Sequence, residues 1–84
     1  MLSAYIRATM ARTTYKELDE SGRYFFEIPE LQGVWADADT IETGRAELQE
    51  VLEDWIALGL SMHQDFPILD GIDINLKHAT GIGH

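Results

Sequence analysis

Hydrophobic and polar positions alternate with two different periods along this chain. Apolar residues first recur at helical spacing, at Leu2, Tyr5, Ile6 and Met10, and this spacing predicts a short amphipathic helix. The next segment, TTYKEL, is rich in β-branched and aromatic residues, and RYFFEI alternates apolar with polar side chains. The turn residues DESG between these two segments indicate a β-hairpin.

Side-chain alternation divides the second and third predicted strands into two faces. One face carries Tyr24, Phe26, Ile28, Val34 and Ala36. The other carries Arg23, Phe25, Glu27, Trp35, Asp37 and Asp39. Pro29 has no amide to donate and should end the second strand, and Gly33 permits the tight return into VWADA. A face that mixes aromatic rings with carboxylates is typical of a covered or partner-facing surface.

The longest periodic segment follows Thr40. Its apolar stripe, at about 100° per residue, contains Ile41, Leu48, Val51, Leu52, Trp55 and Met62. Asp39 or Thr40 is expected to cap this helix, and Trp55 is interpreted as a core residue. The helix should end or fray after Gly59, and the loop HQDFP should lead to a fourth strand, GIDINLK.

These elements predict an α+β fold: a small three- to four-stranded, mainly antiparallel sheet with one long helix on one face and a short N-terminal helix. Residues 1–77 form the single expected domain, with the N-terminal helix in 1–11 and the core in 13–76. Residues 78–84 lack periodicity and are expected to be a disordered tail. The N-terminal helix is placed on the other face of the sheet, where it would cover Trp35, or on a neighbouring subunit.

Composition restricts the classes of partner. Six basic residues stand against 15 acidic ones, a net charge of −9, and such a surface repels phosphate groups. A basic protein is therefore a more natural ligand than nucleic acid, although acidic charge also serves solubility. The chain has no cysteine and no apolar run of membrane-spanning length, which fits a cytoplasmic protein. A domain of 84 residues buries a smaller share of its unfolded surface than a larger domain does, so its stability alone is marginal. Association into a homodimer or tetramer is therefore expected.

Candidate chemistry is sparse. Glu27, Asp37 and Asp39 face the same way and would resemble a two-magnesium nuclease site, but 15 acids in 84 residues bring three together by chance. His63 and Asp65 form an isolated H-x-D pair without a second zinc-ligand pair nearby. We therefore expect no catalytic residue, no metal and no cofactor.

The stretch EIPELQGVWADADT, followed by the amphipathic segment IETGRAELQEVLEDWI, resembles the HicB-like antitoxins. The matching positions are Pro29, Leu31, Gly33, Val34, Thr40, Ile41 and Glu42, and the resemblance spans roughly residues 13–76. It implies a partial ribonuclease-H-like fold, βββαβ, that binds and silences HicA, a small basic toxin that cleaves mRNA. Many relatives add a C-terminal DNA-binding segment, which the sequence after the predicted fourth strand does not resemble, so direct DNA binding is not expected.

The resulting hypothesis is an antitoxin that docks on a HicA-like toxin. Its expected contacts come from strand alternation and not from the resemblance: Phe25, Glu27, Trp35, Asp37 and Asp39. The alternative is a solitary self-associating domain. In that alternative, the basic N-terminal helix of one subunit meets the acidic surface of another.

Overall fold

A computed structural model describes residues 2–19 and 22–75. The elements, in chain order, are α1 (Leu2–Met10), β1 (Thr14–Leu18), β2 (Arg23–Glu27), β3 (Trp35–Ala38) and α2 (Ile41–Ser61). The strands form one antiparallel sheet in the order β1-β2-β3. The predicted α+β fold, with its small sheet, long helix and short N-terminal helix, is confirmed.

Turn residues fix where the strands begin and end. Asp19 and Gly22 both have positive φ at the ends of the loop between β1 and β2, which pair from Leu18 with Arg23 onward. β2 stops two residues before Pro29, as predicted from its missing amide. Gly33, with φ of 92°, turns the chain back so that Trp35 pairs with Glu27.

The helix α2 begins with a Thr40 cap. The Thr40 hydroxyl accepts a hydrogen bond from the amide of Thr43 at 3.1 Å, so Thr40 and not Asp39 is the N-cap residue. Inside the predicted stripe, Leu48 and Leu52 are fully buried. Ile56, which the predicted stripe did not include, is also buried. These residues pack α2 against one face of the sheet.

The prediction is wrong at the two ends of the stripe, because Ile41 is exposed and Met62 is 65% exposed. A helix of 21 residues is about 31 Å long, whereas a five-residue strand spans about 17 Å. The sheet is therefore too short to cover both ends of α2. Trp55 does pack as predicted, with its ring edge-on to Phe66 at 5.4 Å between ring centroids.

The helix α1 lies beside α2, in the same layer of the fold. Tyr5 and Met10 are buried in the core, and the Tyr5 hydroxyl donates a hydrogen bond to the carbonyl of Pro67 at 2.7 Å. The prediction that this helix covers Trp35 on the other face, or belongs to a neighbouring subunit, is therefore wrong. The apolar side of α1 completes the core of its own chain.

The predicted fourth strand is also not present in the described part of the chain. Residues 64–75 form an irregular segment with one bridge, from Leu69 to Ile72, across Asp70 and Gly71. Both of these turn residues have positive φ, the geometry of a type I′ turn. The tail predicted for residues 78–84 lies outside the described residues.

The side chain of Asn75 replaces the missing strand pairing. Its oxygen accepts from the Phe66 amide at 2.6 Å, and its amide group donates to the Phe66 carbonyl at 3.0 Å. One side-chain amide thus satisfies both backbone groups of Phe66, as a neighbouring strand would. Ile72 and Ile74 pack against the core although no strand holds them.

Candidate protein-binding face

The face of the sheet opposite the two helices is here called the outer face. Strand alternation gives it side chains from Thr14, Lys16, Leu18, Arg23, Phe25, Glu27, Trp35 and Asp37. Trp35 is 53% exposed, and no element among the described residues covers it. This large exposed aromatic side chain is the first feature that the fold itself does not explain.

Trp35 belongs to an aromatic pair. Its ring is stacked on that of Phe25 at 5.8 Å between centroids, with an interplanar angle of 26°. The two residues are diagonal neighbours, because Phe25 pairs with Asp37 and Trp35 pairs with Glu27. The ammonium group of Lys16 lies 5.9 Å from the centre of the Phe25 ring, within the range of a cation–π contact.

Arg23 draws two of the predicted carboxylates together. It reaches Asp39 at 2.7 Å and Asp37 at 3.3 Å, so one cation is shared between two acids. We call this the paired end of the outer face. Arg23 offsets one of the two negative charges, so the paired end presents less negative potential than two free aspartates would.

The opposite end of the outer face, here called the open end, contains Phe25, Glu27 and Trp35. A recess of about 410 Å³ lies beside these residues, between the strands and the loop of residues 28–34. Its lining includes Ile28, Leu31 and Val34, all of them buried. The recess is therefore lined by a mixture of polar and apolar atoms, with aromatic and polar side chains around it.

The acids at the open end differ in their partners. Glu30 binds Arg12 at 2.9 Å, and Arg12 also binds Asp70 at 2.8 Å. These contacts raise the pKa of the Arg12 guanidinium, chiefly through the hydrogen bonds from Arg12 to Glu30 and Asp70. The carboxylate of Glu27 makes no ion pair with any described residue. Glu27 is therefore the acid at the open end that is available to an external cation.

The histidine and acidic side chains do not converge on a metal site in the described part of the chain. Within residues 2–19 and 22–75, no three His, Asp or Glu side chains are placed to hold a metal ion together. His63 occupies the turn that ends α2, with φ of 57°, and its amide donates to the carbonyl of Leu60. His63 thus takes a backbone position usually given to glycine at helix ends.

A second concavity, a groove of about 550 Å³, lies between α1 and α2. Arg7 and Arg45 line it together with Ile6, Met10 and Glu53. Neither arginine has an acidic partner within ion-pair distance in the described part of the chain. Within the described part of the chain, this groove thus brings together two arginines that have no acidic partner.

Four of the five predicted contact residues project from the outer face, and Asp39 follows directly after β3. Sequence reasoning brought them together correctly but missed three features: the pairing of Arg23 with both aspartates, the position of Lys16 over Phe25, and the recess. The antiparallel register places Arg23 diagonally across from Asp37, so the first of these was accessible from the hairpin alone. The recess depends on the path of residues 28–34, which no periodicity encodes.

No helix in the described part of the chain is long and apolar enough to span a membrane. The family described as UPF0150-like matches residues 4–67. Among solved structures, the crystal structure of TTHA0281 from Thermus thermophilus is similar, with a TM-score of 0.83 and 37% sequence identity. That match covers 89% of this chain and 93% of the other. No curated protein matches this chain.

Proposed function

This chain belongs to the UPF0150-like family, and from that premise we propose that it is a non-catalytic, cytoplasmic protein-binding module. The observation that carries the proposal is the stacked pair of Phe25 and Trp35 on a sheet face that no described element covers. Exposed aromatic side chains of this size are the usual anchors of protein interfaces. Its partner is proposed to be a HicA-type, mRNA-cleaving toxin, and the chain its antitoxin.

Charge supports a basic partner. The chain has a net charge of −9, and the carboxylate of Glu27, which forms no ion pair with any described residue, lies beside the aromatic pair. A positively charged protein is steered toward such a surface, and its association rate falls as salt is added. Inhibition would then be steric: the outer face covers the basic surface with which the toxin binds RNA.

The test is an RNA-cleavage assay with a purified HicA-type ribonuclease from the same organism. We expect the chain to suppress cleavage in a stoichiometric manner. The Trp35→Ala variant should bind about 30-fold more weakly, because a central aromatic anchor commonly contributes about 2 kcal/mol. The absence of both inhibition and complex formation at micromolar concentrations of the unaltered chain would disprove the antitoxin role.

A matched control is available on the opposite side of the sheet. Tyr15 is also 53% exposed, but it points to the inner face, where it contacts Tyr24 and Phe26. The Tyr15→Ala variant removes a comparable exposed ring and should leave toxin binding unchanged. Equal losses in the two variants would show that the outer face is not the binding surface.

The alternative function, a self-associating domain, is favoured by one observation. Arg7 and Arg45 line the groove between the helices, and the exposed side of α2 is acidic. Charges of opposite sign on two accessible surfaces of one chain favour contact between copies. A homodimer or tetramer of this kind is compatible with toxin binding, because the groove and the outer face lie on opposite sides of the sheet.

Point substitutions test this alternative better than removal of α1, whose Tyr5 is part of the core. The double variant Arg7→Gln/Arg45→Gln should dissociate an assembly held by these charges, as measured by sedimentation equilibrium. Added salt should weaken the same assembly. A monomeric unaltered chain, or an assembly that neither change affects, would exclude this contact.

A further inference from the structure

The open end of the outer face has the chemistry of a site for one particular side chain. Trp35 and Phe25 provide π surface, and Glu27 provides a carboxylate that has no ion-pair partner among the described residues. The recess beside them is lined in part by the buried residues Ile28, Leu31 and Val34. We propose that this recess binds an arginine side chain of the basic partner. This inference rests on the proposed function and names the contact that would anchor it.

A cation of the chain already lies against the aromatic pair. The ammonium group of Lys16 sits 5.9 Å from the centre of the Phe25 ring, on the same outer face. Trp35 is the stronger π surface of the pair and remains half exposed. The ring that attracts cations best is therefore the one that no cation of the described residues occupies.

Glu27 adds the second half of the site. It pairs with Trp35 across β2 and β3, and side chains in directly opposed positions of antiparallel strands stand about 5 Å apart at Cβ. A guanidinium group that stacks on the indole ring is thus within reach of the Glu27 carboxylate. Glu30, whose carboxylate is held by Arg12, does not compete for the same position.

Arginine fits this arrangement better than lysine. Its planar, weakly hydrated guanidinium stacks on aromatic rings and forms two parallel hydrogen bonds with a carboxylate. An ammonium group is compact and strongly hydrated, so it loses more on leaving water for an aromatic surface. The recess also has open space at Gly33, where an added Cβ atom would meet no other atom within 4 Å.

The aspartates do not provide an equivalent site. Asp37 and Asp39 are already engaged with Arg23, so an external arginine would have to displace an internal one. Glu27 offers its carboxylate without that competition. The open end is therefore preferred over the paired end, although the paired end has more acidic residues.

Trp35 fluorescence reports directly on this site. The chain has two tryptophans, and the Trp55→Phe variant keeps an aromatic ring against Phe66 while leaving Trp35 as the single indole. We would titrate this variant with the blocked peptides acetyl-Gly-Arg-Gly-amide and acetyl-Gly-Lys-Gly-amide at constant ionic strength. Circular dichroism checks that the fold is retained.

The arginine peptide should change Trp35 emission in a saturable manner. The Glu27→Gln variant should weaken its binding about fivefold, because an ion pair worth about 1 kcal/mol is lost. Glu47→Gln, which removes the same charge from the exposed side of α2, is the matched control and should change nothing.

Three results would overturn the site. The first is equal binding of the arginine and lysine peptides, and the second is equal behaviour of Glu27→Gln and Glu47→Gln. The third is Trp35 emission that changes with protein concentration alone, which would assign the open end to a second copy of the chain. Toxin binding that survives Glu27→Gln undiminished, with no arginine selectivity, would reject this site while leaving the proposed function standing.

Discussion

At the scale of single residues, two glycines in α2 set how closely the helix approaches its neighbours. A methyl group at Gly44 would overlap the ring of Phe26, and one at Gly59 would lie 2.6 Å from Phe66. Both glycines are buried, and aromatic rings occupy the space that their side chains would take. Gly44 therefore has a packing role that its low helix propensity alone would not suggest.

Replacement of Gly44 by alanine should destabilise the protein although alanine is the better helix former. We expect a loss of about 2 kcal/mol, because overpacking against the fully buried Phe26 outweighs a propensity gain of about 1 kcal/mol. Urea unfolding measures this loss. Adding Phe26→Leu should recover part of it, and purely additive effects of the two substitutions would contradict a direct clash.

Titration of the Tyr5 hydroxyl should lower the free energy of unfolding at alkaline pH. Burial raises the pKa of its hydroxyl above the usual value of about 10, and the negative charge of Asp73 raises it further. The folded state therefore favours the neutral phenol. The stabilising contribution is complete below about pH 10, the unfolded-state pKa, and is lost as the pH rises through the higher folded-state pKa.

The Tyr5→Phe variant isolates this effect. It should be about 1 kcal/mol less stable at pH 8, because it lacks the hydrogen bond to the Pro67 carbonyl. Its unfolding free energy should then fall less steeply between pH 9 and pH 11 than that of the unaltered chain. Parallel pH profiles for the two proteins would show that Tyr5 does not titrate as described.

At the scale of elements, the segment that follows α2 is held without a strand. The two hydrogen bonds between Asn75 and Phe66, and the bridge from Leu69 to Ile72, close it onto the core. Asp73 in turn accepts from the Asn75 amide and side chain at 2.9 and 2.7 Å. A short polar network thus performs the task that a fourth strand was predicted to perform.

Loss of this network should be measurable. We expect Asn75→Ala to cost about 1–3 kcal/mol, because the amide of Phe66 is left without its partner in a partly buried position. Hydrogen exchange at the Phe66 amide should accelerate in the same variant. Gln49→Ala, which removes an exposed amide from α2, is the control and should stay within about 0.5 kcal/mol.

The elements themselves were largely predictable, since α1, the three strands and α2 each follow from local periodicity and turn residues. The fourth strand was not, because the alternation of Ile72 and Ile74 reflects contact with the core and carries no information about a hydrogen-bonding neighbour. The position of α1 was also missed. A helix with one apolar side can pack on either face of a sheet. Which face α1 occupies depends on contacts such as that between Tyr5 and Pro67.

The sequence predicted which residues lie on the outer face but not how their charges are paired. Strand alternation correctly grouped Phe25, Glu27, Trp35 and Asp37, because period two is imposed by the backbone. The compensation of Asp37 and Asp39 by Arg23 depends on side-chain geometry across strands. Counting acids along the sequence therefore overestimated the negative charge of the paired end.

At the scale of the whole molecule, opposite sides of the domain differ in charge. Among the described residues, the arginines of the groove between the helices have no acidic partner, whereas Glu27 at the open end of the outer face has no basic one. Two variants of the same net charge can therefore differ in the charge of the outer face. The substitutions Arg23→Gln and Arg7→Gln form such a pair.

Arg23→Gln should accelerate association with a basic partner, because it releases the charges of Asp37 and Asp39 on the outer face. We expect a rate about two- to fivefold higher at low salt, measured by stopped-flow mixing with the proposed toxin, and a steeper salt dependence. Arg7→Gln gives the same net charge but alters the groove. Equal acceleration by both variants would mean that only the total charge matters, and not the outer face.

The one-sided packing of the sheet has a consequence for how such a domain can diversify. The core lies between the sheet and the helices, so side chains such as Glu27, Trp35 and Asp37 contribute little to holding the chain together. Substitutions there can alter what the protein recognises while other residues maintain the fold. Recognition and folding are thus assigned to separate sets of positions, and new binding preferences can arise on this scaffold one strand residue at a time.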